Sequence, residues 1–138
     1  MFLFISHSGP DTWVARQLSD QCKALGAVTF LDEAEIAIGA KFETDILAAL
    51  RKSDELIVLL TPWALDRPYV WMEIGAAWYK DIPIIAVLLG ITPKEIQEHP
   101  RATIAIKERN IIHLNDIDRY FEQLEQRIVS SRKAVATP

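Results

Sequence analysis

The sequence predicts an α/β fold: one parallel five-stranded sheet with helices on both faces. Three observations predict it. Short apolar runs alternate along the chain with segments of helical spacing, the order that builds β-α-β units. The runs are apolar at consecutive positions, as strands covered on both faces must be. The length, 138 residues, suits one domain carrying five such units.

The elements follow in order. "FLFIS" (Phe2–Ser6) is the first strand. "SGPDTW" opens a helix: Pro10 suits its first turn and Asp11 complements its positive end. Val14, Leu18, Cys22 and Leu25 keep helical spacing, and Gly26 ends the helix. "AVTFLD" is the second strand, and "EAEIAIGA" a loop carrying Gly39. Phe42, Ile46, Leu47 and Leu50 mark the next helix, and "ELIVLL" (Glu55–Leu60) the most buried strand. After the loop "TPWALDRP", the segment "YVWMEIGAAW" predicts a helix with Val70, Ile74, Ala77 and Trp78 toward the core. "IPIIAVLL" is the fourth strand, "TPKEIQEHP" a short helix and "NIIHL" the fifth strand. Ile117, Phe121, Leu124 and Ile128 define the last helix. The polar end "SSRKAVATP" reads as a frayed tail or the start of a linker, which divides the chain into a domain at 1–129 and a tail at 130–138.

Five such units give a flavodoxin-like sheet of order 2-1-3-4-5. Ligands of that architecture bind beyond the carboxyl ends of the strands, at the switch between strands 1 and 3. The loops that matter are therefore "SHSGPD", "DEAEIAIGA" and "TPWALDRP".

Composition narrows the function. Net charge is −4 with acids and bases interleaved, which speaks against a nucleic-acid surface. No apolar run reaches the ~20 residues that span a bilayer, and "MFLFISHS" lacks the basic start and cleavage site of a signal peptide. A cytoplasmic protein without membrane contact is expected. The single cysteine, Cys22, allows no internal disulfide and reads as a buried thiol. The histidines, His7, His99 and His113, are not spaced as ligands, so no metal is expected. Strand 1 ends in Ser6-His7-Ser8 and strand 3 in Thr61-Pro62, without the aspartates of a phospho-acceptor domain. Neither a P-loop nor a dinucleotide glycine motif is present. The lone Gly9 is a poor match to a flavin phosphate loop.

Glu73 stands out as a carboxylate inside an almost wholly apolar helix, with Tyr69 one turn upstream. Its position fits two roles. One is a rim carboxylate held near the positive end of its helix. The other is a carboxylate in a partly desolvated cleft, accepting from sugar hydroxyls and stabilising an oxocarbenium-like centre. Ile36 and Ile38, beside Gly39, either pack on their own domain or are presented to a neighbour.

Three segments carry a resemblance. "FLFISHSGPD" resembles the first motif of TIR (Toll/interleukin-1 receptor) domains. "TFLDEAEIAIGAKFETDILAALRKSDELIVLLTPWAL" resembles the second strand, BB loop, following helix and third strand of bacterial TIR domains. "YVWMEIGAAW" resembles the helix that carries their catalytic glutamate. The likeness runs over about Met1–Ile128 and implies the fold read above. It implies an NAD⁺ nucleosidase or cyclase that releases nicotinamide and forms ADP-ribose or a cyclic isomer, with NAD⁺ as substrate and no cofactor. Glu73 takes the catalytic position. Many members place Trp four residues before it, where this chain has Tyr69, with Trp71 two before. Ser6, His7, Ser8, Asp32, Phe42 and Tyr69 are the expected substrate-binding residues. Ile36, Ile38 and Gly39 of the BB loop are the expected contacts of TIR–TIR self-association, filamentous in form. The setting implied is bacterial immune, anti-phage signalling, with a sensor domain or partner protein as trigger. A non-catalytic TIR scaffold is the alternative, and a nucleoside ribosyl-transferring enzyme a more distant one.

Overall fold

A computed structural model describes residues 1–31, 42–100, 106 and 110–136. The five strands are β1 (Phe2–Ser6), β2 (Val28–Leu31), β3 (Glu55–Leu60), β4 (Ile84–Leu88) and β5 (Ile111–His113). The helices are α1 (Thr12–Ala24), α2 (Phe42–Lys52), α3 (Pro68–Tyr79), α4 (Pro93–Glu98) and α5 (Ile117–Ala136). All strand pairs are parallel, in the order β2-β1-β3-β4-β5, as the alternation predicted. Among the described residues no helix is long and apolar enough to cross a membrane.

Alternation along the strands builds two cores. Phe4, Leu56, Val58, Leu60, Ala86 and Leu88 face one side and pack on Ile46 and Leu50 of α2, Val70 and Ile74 of α3, and Ile96 of α4. Leu3, Ile5, Ile57, Leu59 and Val87 face the other and pack on Leu18 and Cys22 of α1 and Tyr120, Leu124 and Ile128 of α5. Full burial of each such side chain stabilises the fold by about 1.5–3 kcal/mol before entropy is counted.

Two expectations change. Trp78 does not face the core; it is half exposed, and Ala77 takes the buried place. With 3.6 residues per turn the stripe Val70–Ile74–Ala77 is complete without it. The segment expected to leave as a tail instead continues α5 through Ala136. There Arg132 lies over Gly26, whose positive φ of 101° turns the chain from α1 into β2.

One polar cluster is built into the second core. Glu55 at the start of β3 is buried, 2.8 Å from Arg127 Nη2, and accepts a hydrogen bond from the Tyr120 hydroxyl at 3.2 Å. Burial holds its carboxyl above the usual range, against the opposing pull of Arg127 and Tyr120.

Candidate functional site

The site begins at the switch point, where the chain leaves β1 and β3 toward opposite faces of the sheet. Asp11 is buried there. Its Oδ2 accepts from the Ser8 hydroxyl and, at 2.6 Å, from the Thr61 hydroxyl. Thr61 Oγ1 accepts in turn from the backbone N–H of Ala64. Asp11 therefore ties the loop after β1 to the loop after β3, beyond the helix-end role its position suggested. The Ser8 hydroxyl is committed to this junction.

Ser6 and His7 are also buried at the end of β1. Ser6 pairs in register with Val58 and by alternation shares the face of Phe4, the side that α2 and α3 cover. His7 Nδ1 lies 2.8 Å from the Ser8 carbonyl oxygen.

Glu73 is on that same side, in α3. It is only 4% exposed, so the structure places it in the protein interior rather than on a solvated rim. Tyr69, Met72, Glu73 and Ala76 form one row of α3 at i, i+3, i+4 and i+7. They face Ile46, Leu47 and Leu50 of α2 across a cleft of about 170 Å³. Its walls are otherwise apolar, and its mouth is marked by the partly exposed Tyr69, Leu47 and Met72. A carboxylate in a largely apolar wall acts strongly on any cation brought beside it.

The two aromatics of α3 are distinguished. Tyr69 lines the cleft. Trp71 points elsewhere: its indole N–H donates to the Leu65 carbonyl at 2.8 Å, and its ring stacks on His99 with centroids 5.3 Å apart. Phe30 is partly buried and packs against the core, tilted against Phe4 with ring centroids 5.1 Å apart. Asp32, Ile36, Ile38 and Gly39 lie outside the described residues, as does the side chain of Phe42. Among the described residues there is no group of three His, Cys, Asp or Glu side chains suited to a metal ion.

The sequence reading took Ile46, Leu47 and Leu50 only as one face of a helix, and it did not single out Met72, Ala76 or the bridge from Asp11 to Thr61. The helical spacing of both walls was visible in the sequence; which rows face each other was not.

A family model described as "TIR domain" matches residues 3–129. This chain belongs to the TIR-domain family. No curated protein matches it by sequence. Among solved structures, the TIR domain of the Toll-related receptor TRR-2 from Hydra magnipapillata superposes with a TM-score of 0.64 at 17% identity, covering 93% of this chain and 97% of that one. The TIR domains of the activated Roq1 resistosome give 0.64 at 14% identity, over 94% and 98%. A 2-deoxyribosyltransferase from the bacterium Bacillus psychrosaccharolyticus gives 0.58 at 12% identity, over 72% and 82%. At these identities the likeness is one of fold. In this TIR domain the aromatic four residues before the carboxylate is Tyr69, and the neighbouring tryptophan is held out of the cleft.

Proposed function

We propose that this TIR domain cleaves NAD⁺ at the nicotinamide–ribose bond, with Glu73 as the catalytic carboxylate. One observation carries the reading: Glu73 is buried in the wall of an apolar cleft, beside an aromatic ring at its mouth. The reaction asks for little else. The carbon–nitrogen bond breaks with its electron pair passing to nicotinamide, which leaves neutral and needs no acid. The anomeric carbon becomes cationic, and a buried carboxylate stabilises it. Water then attacks to give ADP-ribose with loss of a proton, or a nucleophile of the same molecule attacks to give a cyclic isomer. Tyr69 stacks on a ring and, with Leu47 and Met72, keeps bulk water out.

We further propose control by self-association through the segment containing Ile36, Ile38 and Gly39. NAD⁺ is always present in a cell, so a constitutively complete enzyme would be harmful. Head-to-tail contacts of this kind extend into filaments rather than closing. The setting is immune signalling inside a bacterial cell, with a sensor domain or partner as the clustering agent.

The test is incubation with NAD⁺ and measurement of nicotinamide release. Release that is lost in Glu73→Gln supports the reading. Absence of release at every protein concentration, with self-association intact, assigns the chain to the non-catalytic scaffolds. Exchange of bases on 2′-deoxynucleosides without NAD⁺ cleavage assigns it to the nucleoside-processing class.

A further inference from the structure

Sulfur occurs at three places in the chain: Met1, Cys22 and Met72. The fold treats them differently. Cys22 is fully buried in the second core, where burial pushes its thiol up to about 12 and keeps it from ionising. Met1 is partly buried and packs against the same core. Met72, on α3, is 56% exposed.

Met72 is open to solvent and part of a cleft wall at once. Its side chain lines the cleft between α2 and α3 together with Glu73, Tyr69 and Leu47. A thioether is flexible and apolar, which suits the lip of an apolar cleft. A sulfoxide is polar and chiral, and its oxygen accepts hydrogen bonds from water. Oxidation at this one sulfur therefore changes the chemistry of the mouth without touching the buried carboxylate.

We infer that Met72 is a peroxide-reactive modification site, and that its sulfoxide weakens the hold of the cleft on an organic cation. The oxidant is hydrogen peroxide or an organic hydroperoxide. A lone pair of the Met72 sulfur attacks one peroxide oxygen and an S–O bond forms. The O–O bond breaks, its electron pair passing to the other oxygen, which takes up the proton and leaves as water or alcohol. Sulfur loses two electrons and the peroxide gains them. The new oxygen then holds water at the mouth, and water beside Glu73 screens the carboxylate from a cation in the cleft. A reductase drawing on two thiols returns the thioether, with the thiols oxidised to a disulfide and the oxygen released as water, so the change is reversible. This goes beyond the proposed NAD⁺ cleavage and rests on it only where turnover is read.

In the first experiment folded wild type is treated with a small excess of hydrogen peroxide, and each sulfur is followed by peptide mass spectrometry. Met72 should gain one oxygen faster than Met1, with Cys22 unchanged. A rate at Met72 no greater than at Met1, or earlier oxidation of Cys22, overturns the inference. The second experiment measures the affinity for the N-methylnicotinamide cation by calorimetry in reduced, oxidised and reductase-restored protein. Affinity should fall about tenfold on oxidation and return on reduction. Met72→Leu has no sulfur in the cleft, so peroxide should leave its affinity, whatever that is, where it began. Equal affinity of the reduced and oxidised wild type, an equal fall in Met72→Leu, or no binding to either form overturns the inference whether or not the protein cleaves NAD⁺. Unfolding of the oxidised protein, read by circular dichroism, also overturns it. Where nicotinamide is released, kcat/KM for NAD⁺ should fall and recover in the same way. An unchanged kcat/KM with Met72 fully oxidised overturns the inference and leaves the cleavage standing.

Discussion

Replacing Glu73 by Gln tests whether charge, rather than shape, is what the cleft supplies. The side chains are nearly isosteric, so the walls formed by Tyr69, Met72 and Leu47 should hold their places. Glu73 is 4% exposed, but the three residues at the mouth are each more than two-fifths exposed, so the site is neither dry nor fully wet. An effective dielectric of about 20 is appropriate, and a unit charge about 4 Å from a carboxylate is then stabilised by about 4 kcal/mol. Only the part of that interaction that appears as charge develops lowers the barrier. At about 1.4 kcal/mol per decade, kcat should fall by up to about a thousandfold. KM for NAD⁺ should change much less. Initial rates of nicotinamide release at saturating NAD⁺, with thermal melts in parallel, decide it. A folded Glu73→Gln protein within about tenfold of wild-type kcat would refute the electrostatic argument.

Other consequences are equally direct. Asp11→Ala removes the acceptor of the Ser8 and Thr61 hydroxyls and should destabilise the domain by about 3 kcal/mol in urea unfolding; a loss below about 0.5 kcal/mol would show the junction to be dispensable. Glu55 has a raised folded value, so its contribution is full below the ordinary value of 4.5 and is lost as pH rises through the folded one. The stability of wild type relative to Glu55→Gln should therefore increase on acidification from pH 7 to pH 4, and a decrease would contradict the burial argument. Cys22 is fully buried, and burial pushes its thiol up to about 12. Iodoacetamide at neutral pH should leave it unmodified by mass spectrometry until denaturant is added. Ile38→Asp should abolish any steeper-than-linear dependence of initial rate on enzyme concentration; wild-type rates strictly proportional to concentration while the protein stays monomeric would exclude control by assembly.

How much of this was readable beforehand follows from what each residue has to satisfy. Strands such as "ELIVLL" announced themselves because both faces of β3 are covered and every position after Glu55 is apolar. Strand order followed from their number and alternation. Glu73 was legible as a charge in an apolar helix, but its depth was not. That depth depends on α2 lying alongside, and sequence spacing carries no information about which helix faces which. Trp78 was misplaced because a helical stripe broadens by one position per turn, and spacing alone does not choose between Ala77 and Trp78. The end of α5 was unreadable as helix for a different reason. Residues 130–136 have no apolar stripe, and a contact that accompanies that stretch joins Arg132 to a glycine more than a hundred residues away. Asp11 was seen only as a helix-end charge, because its second partner, Thr61, is 50 residues distant.

That distance has a kinetic meaning. β1 and β3 are neighbours in the sheet, yet β2 and two helices separate them in the chain, so their pairing must wait for a long loop to close. The carboxylate of Asp11 meets Thr61 only after that closure, and the chain just beyond β1 is pinned by the same event. During synthesis the amino-terminal half emerges first with an unfinished switch point. It cannot assemble the pocket until β3 has docked and α3 has followed it. A partly made chain thus lacks the assembled cleft for topological reasons.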